Sequence, residues 1–134
     1  MTIGVDINDS SSPNARYVTW APSPCRIRVT NPAGIVGPQV KVNLSRVTVA
    51  NGGSIEFATI AAGPYSSTLS LNVPANGASV GFFVRGVFGH ASVNDGDVKI
   101  EARAKPNPLA AESLVGTKFV GADGSWGGRI ACGF

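Results

Sequence analysis

Gln39-Val40-Lys41-Val42-Asn43-Leu44-Ser45-Arg46-Val47-Thr48-Val49 alternates polar with apolar side chains through its first seven positions. A period of two sets Val40, Val42 and Leu44 on one side of an extended chain and Lys41, Asn43 and Ser45 on the other. The stretch therefore predicts a half-buried strand. Arg46 then falls on the face that Val40 began, while Val47 and Val49 take the opposite one, so the spacing predicts a bend or bulge around Ser45 and Arg46.

The same reading extends in both directions. Downstream, Asn51-Gly52-Gly53 is a hairpin-type turn signal, and 54–59 sets Ile55 and Phe57 on one side of a further strand. Leu69, Leu71 and Val73 repeat the pattern over 68–73, and Pro74-Ala75-Asn76-Gly77 ends it with residues suited to a turn. The segment 79–88 is apolar on both faces through Val80, Phe82, Phe83, Val84 and Val87, which predicts a central strand. After the Asp95-Gly96 turn, 97–104 alternates Val98, Ile100 and Ala102 against Lys99, Glu101 and Arg103. Upstream, Cys25, Ile27 and Val29 oppose Arg26, Arg28 and Thr30, and the turn Asn31-Pro32-Ala33-Gly34 follows. Short extended pieces are expected at 3–7 and 17–20. A single helical turn is expected within 106–114, and a last short strand around Ile130 and Cys132.

These segments predict an all-β chain: one domain over 1–134, a two-layer antiparallel β-sandwich of Greek-key, immunoglobulin-like type with about seven or eight strands. Composition agrees. With 17 Gly and 9 Pro in 134 residues, punctuation recurs too often for an ordinary helix, and 43% hydrophobic against 14% charged residues favours a folded core over disorder.

Composition also excludes several functions. No apolar run approaches the roughly eighteen residues of a membrane span. The start, Met1 to Asp6, has neither the basic region nor the apolar stretch of a signal peptide. The net charge of +3 comes from scattered basic residues, with Arg26 and Arg28 sharing a strand face while Arg46, Arg85, Arg103 and Arg129 stand apart in sequence. Nucleic acid is therefore not the expected partner, since it calls for a basic stripe with interleaved aromatics. Cys25 and Cys132 fit a disulfide in an oxidising compartment or two buried thiols in a reducing one, and their inward strand positions favour thiols. The compartment stays open.

Catalytic chemistry is missing from the pattern. His90 is the single histidine, so one chain cannot supply a multi-histidine metal site, and no zinc spacing of Cys and His occurs. There is no Gly-x-Ser-x-Gly elbow, no Gly-x-Gly-x-x-Gly and no Walker loop. The chain is expected to be no enzyme, with no catalytic residue and no cofactor.

Two ligand readings remain. Asp6-Ile7-Asn8-Asp9 and Asn94-Asp95-Gly96-Asp97 are oxygen-rich, so Asp6, Asn8, Asp95 and Asp97 form a candidate calcium set contributed by loops at one end of a sandwich. The first stretch lacks the central Gly and terminal Glu of an EF-hand, and Asp and Asn also simply make turns. Trp126, in Gly124-Ser125-Trp126-Gly127-Gly128, is the candidate for stacking on a sugar ring.

The stretches Leu69-Ser70-Leu71-Asn72-Val73-Pro74, Val80-Gly81-Phe82-Phe83-Val84-Arg85-Gly86-Val87-Phe88-Gly89 and Asp95-Gly96-Asp97-Val98-Lys99-Ile100 resemble the small β-sandwich accessory domain of bacterial tyrosinase-type proteins. The resemblance spans roughly residues 25–104. It implies an accessory or interaction module whose copper chemistry belongs to a separate histidine-rich domain, and it carries over no catalytic residue. The expected function is a non-catalytic structural or protein-interaction module, self-associating or bound to a protein partner. A carbohydrate- or calcium-binding module is the alternative.

Overall fold

A computed structural model of the chain describes residues 4–8, 17–19, 23–48, 54–86 and 98–123. Among them are nine strands: β1 (Gly4–Asn8), β2 (Tyr17–Thr19), β3 (Ser23–Asn31), β4 (Gln39–Thr48), β5 (Ile55–Ala58), β6 (Thr68–Pro74), β7 (Val80–Gly86), β8 (Val98–Ala104) and β9 (Ser113–Asp123). They form a four-stranded sheet ordered β1-β3-β7-β5 and a five-stranded sheet ordered β2-β9-β8-β4-β6. Pairing is antiparallel except between β2 and β9. The chain crosses between sheets at every step from β3 to β8, which makes an all-β two-sheet sandwich.

Alternation builds the core. Val40, Val42 and Leu44 of β4 meet Ile27 and Val29 of β3, Phe82 and Val84 of β7, and Val98, Ile100 and Ala102 of β8, all buried. Phe57 and Phe82 lie with ring centroids 6.4 Å apart. As expected, β7 is central, between β3 and β5. Cys25 is buried at an inward position; Cys132, His90 and the strand expected around Ile130 lie outside the described residues. Of the four turns named from sequence, those at Asn31 and Asn76 form, while Asn51-Gly52-Gly53 and Asp95-Gly96 lie outside the described residues. Asn31 Oδ1 accepts from the Ala33 amide with Gly34 at φ 83°, and Asn76 Oδ1 accepts from the Ala78 amide with Gly77 at φ 90°.

Two expectations are corrected. No bulge interrupts β4: its register runs without a shift against β6 from Gln39 to Ser45 and against β8 from Val42 to Thr48. Hydrogen bonding on both flanks holds the ladder straight, so Arg46 keeps inward parity opposite Ile100, and Val47 is left 37% exposed. Arg46 stands near the end of the sandwich, where a long stem can bury its carbons and lead the charge outward. Its Nε is nonetheless buried with no hydrogen-bond partner. The second correction concerns 106–114. No helical turn forms there, and the chain instead enters β9, an eleven-residue strand that raises the count to nine.

The irregular pairing of β9 explains why its pattern is obscure. Leu114 stands opposite Arg103 and Gly116 opposite Ala102, so Val115 is an extra residue that shifts the period. The shift leaves Leu114 50% exposed, buries Val115 and sets Lys118 opposite Ile100. Here the β9 backbone comes against β1: a Cβ built on Gly116 would sit 2.7 Å from Val5 Cγ2 and 2.8 Å from the Val5 carbonyl oxygen. A main-chain oxygen cannot retreat as a flexible side chain can. Gly116→Ala is therefore expected to destabilise the fold by about 2 kcal/mol, read as a lower urea midpoint. Gly81→Ala, whose Cβ would meet only the Cys25 oxygen at 3.8 Å, should stay within about 0.5 kcal/mol.

Candidate functional site

A sandwich presents two outer faces and up to four sheet edges, and the strand order decides which of them are available. At one end of the four-stranded sheet, β1 is shut in by the approach of Gly116. At its other end, β5 is bonded by its own chain: the Phe57 amide donates to the Ser66 oxygen at 2.7 Å, and the Ser66 amide donates back to the Phe57 oxygen at 2.9 Å. In the five-stranded sheet, β2 is an edge of three residues. The remaining edge is β6, seven residues long, pairing among the described residues with β4 alone.

Thr68-Leu69-Ser70-Leu71-Asn72-Val73-Pro74 contains no charged residue. Leu71 and Val73 are buried, while Thr68, Ser70 and Asn72 are exposed on the outer face. Edge strands are commonly blunted by charge, by extra residues or by shortness. On β6 only the terminal Pro74 serves that purpose.

Beside this edge the outer face of the five-stranded sheet carries a groove of about 340 Å³, crossing β4 between β6 and β8. Ser70 Oγ donates to Asn43 Oδ1 at 2.6 Å, and Asn43 Nδ2 donates to Glu112 Oε2 at 2.8 Å. Thr68, Ser45 and Arg103 complete the polar lining. Residues 27 and 69 positions apart are thus joined through one asparagine, and hydroxyl, amide, guanidinium and carboxylate groups offer both donors and acceptors to a ligand.

Across β8 on the same face, Glu101 is held between two cations. Arg103 Nη1 donates to Oε1 at 2.7 Å, and Lys99 Nζ lies 3.0 Å from Oε2. The Arg103 hydrogen bond first, then that of Lys99, hold the Glu101 carboxyl below its ordinary pKa. The opposite outer face carries Arg26 and Arg28 on β3, which share a face as expected, and Arg85, which stood apart in sequence, on the neighbouring β7. Asp6 lies 3.7 Å from Arg28, and Glu56 Oε1 accepts from Arg85 Nε at 2.6 Å. Arg85 also stacks 3.9 Å from the Tyr65 ring centroid. Burial dominates in raising the Tyr65 pKa, although Arg85 opposes it, and its hydroxyl donates to the Ala61 oxygen at 2.8 Å. Carboxylates thus interrupt what would be a basic stripe.

Of the candidate calcium set, Asp6 lies on β1 beside Arg28, and Asn8 is the last residue of that strand. Asp95, Asp97 and Trp126 lie outside the described residues. Among the described residues no three His, Cys, Asp or Glu side chains are grouped to hold a metal, and no helix is long and apolar enough to cross a membrane. The groove and the β6 edge are features that sequence reading missed, although the absence of charge from 68–74 was visible there. No family model matches the chain, and no curated protein does.

The Glu101 cluster contributes to the acid response. A carboxyl whose folded-state pKa is depressed contributes stability that is present above the ordinary carboxylate pKa and lost as pH falls through the folded value. Glu101→Gln is accordingly expected to be less stable than the parent at neutral pH. The gap should close as pH falls below about 4, measured as urea midpoints across a pH series.

Proposed function

We propose that the domain is a non-catalytic structural or protein-interaction module that associates, with itself or with a protein partner, by accepting a strand at the open edge of β6. The observation that carries this reading is an uncharged seven-residue edge on a fold whose other edges are closed in, bonded by their own chain or three residues long. Strand addition supplies affinity through main-chain hydrogen bonds and selectivity through alternate side chains. Two copies of β6 running antiparallel about a two-fold axis would oppose no charge to charge and would merge two five-stranded sheets into one. An accessory domain of the kind implied by the resemblance over 25–104 would use the same edge against its companion. The reading assigns the chain no catalytic residue and no cofactor.

A second reading, a carbohydrate ligand, draws on the groove beside β6. Its Asn43, Ser70, Arg103 and Glu112 form the kind of hydrogen-bonding set that sugar hydroxyls require.

Light scattering over a concentration series tests the first reading. The parent is expected to rise in mass toward a dimer or larger assembly, whereas Thr68→Lys combined with Asn72→Lys, both at exposed positions, stays monomeric because charge on an edge opposes strand addition. A parent that is monomeric at every concentration removes self-association. A glycan hit that vanishes in Glu112→Gln would put the ligand reading in its place.

A further inference from the structure

Three connections meet at the end of the sandwich where β3 passes to β4, β6 to β7 and β8 to β9. They are braced against one another: the Ala75 amide donates to the Pro38 oxygen at 2.9 Å, the Val36 amide to the Pro106 oxygen at 3.2 Å, and Asn107 Nδ2 to the Gly34 oxygen at 3.2 Å. From this cap two large apolar side chains protrude, Val36 at 71% and Leu109 at 98% exposure.

Next to them is a groove of about 260 Å³ whose lining includes Val36, Pro106, Pro108, Lys41 and Lys105, with no carboxylate. Continuing the β4 to β8 register one step past Val42 and Ala104 sets Lys41 opposite Lys105. Like charges directly opposite on neighbouring strands repel. The groove therefore offers two cations to an anion, beside apolar tips that water solvates poorly.

We propose that this end of the sandwich docks on an anionic phospholipid bilayer, with Val36 and Leu109 entering the interfacial layer and Lys41 and Lys105 receiving headgroup anions. The inference goes beyond the edge-association reading and is independent of it. Charge and shape select this occupant. Two convex side chains fall far short of the roughly 800 Å² per partner of a stable protein interface, but a fluid layer takes up protruding side chains without a matching cavity. The flanking lysines supply attraction to negative headgroups. Because the cap is braced before contact, little ordering is required on docking.

Co-sedimentation of the full chain with vesicles tests the proposal, using phosphatidylcholine alone and phosphatidylcholine mixed with phosphatidylserine. Partition is expected on the mixed vesicles at low salt, with weakening at high salt as headgroup attraction is screened. Leu109→Ser should bind about tenfold more weakly, and Lys41→Gln with Lys105→Gln should remove most of the salt dependence. Leu109 is nearly fully exposed, so its variant is expected to keep the parent's circular dichroism. Absence of partition on mixed vesicles at low salt overturns the proposal, as does equal binding of the parent and Leu109→Ser. Full displacement from the vesicles by inorganic phosphate would identify a soluble-anion site instead and overturn it too. A loss of self-association in Leu109→Ser without vesicle binding would assign the tip to a protein contact, with the same consequence.

Discussion

The approach of the β9 backbone to Val5 is the constraint on which the arrangement of surfaces depends. Gly116 lets a strand of one sheet come against the edge strand of the other, with no room between them for even a methyl group. The extra residue Val115 makes the approach possible, since a bulge bends and twists the strand that carries it. One side of the sandwich is thereby closed by backbone. Among the described residues, the long edge left with a single paired neighbour lies elsewhere, at β6.

The polar faces follow a different logic from the edges. On each sheet, carboxylates sit between cations on neighbouring or alternate positions: Glu101 between Lys99 and Arg103, Glu56 opposite Arg85, Asp6 opposite Arg28. The exposed pairs among them, such as Asp6 with Arg28, add little stability singly. They do oppose register slips, because a one-residue shift would turn every charge toward the core. The outer positions of β6 carry hydroxyl and amide side chains up to the terminal Pro74, and no charge.

Much of the fold was legible because alternation is a local signal. The strand expected from Val40, Val42 and Leu44 was read from adjacent residues, as were those built on Ile27 and Val29 or on Val98, Ile100 and Ala102, and all turn the same residues inward. β9 escaped because its bulge shifts the period and its register sets Lys118 beside the apolar Ile100, while Pro106 and the Leu109-Ala110-Ala111 run imitate the opening of a helix. Arg46 misled in the opposite direction. A charge on an inward face reads locally as a break, but pairing with both β6 and β8 keeps the chain straight where the ladder reaches the end of the sandwich.

The candidate surfaces were far less legible. The groove joins Asn43 to Ser70 and Glu112, which no local period connects, and the cap at the other connections presses Val36 and Pro106 together from distant loops. By itself the sequence determined an all-β chain, which residues of most strands face the core, and where the Asn31 and Asn76 turns fall, since all three follow from steric and hydrophobic preferences of neighbouring residues. Which strands are edges, which charges meet and which apolar side chains stay in solvent were decided only by the tertiary structure. Those properties depend on contacts between residues far apart in the chain, and periodicity cannot specify such contacts.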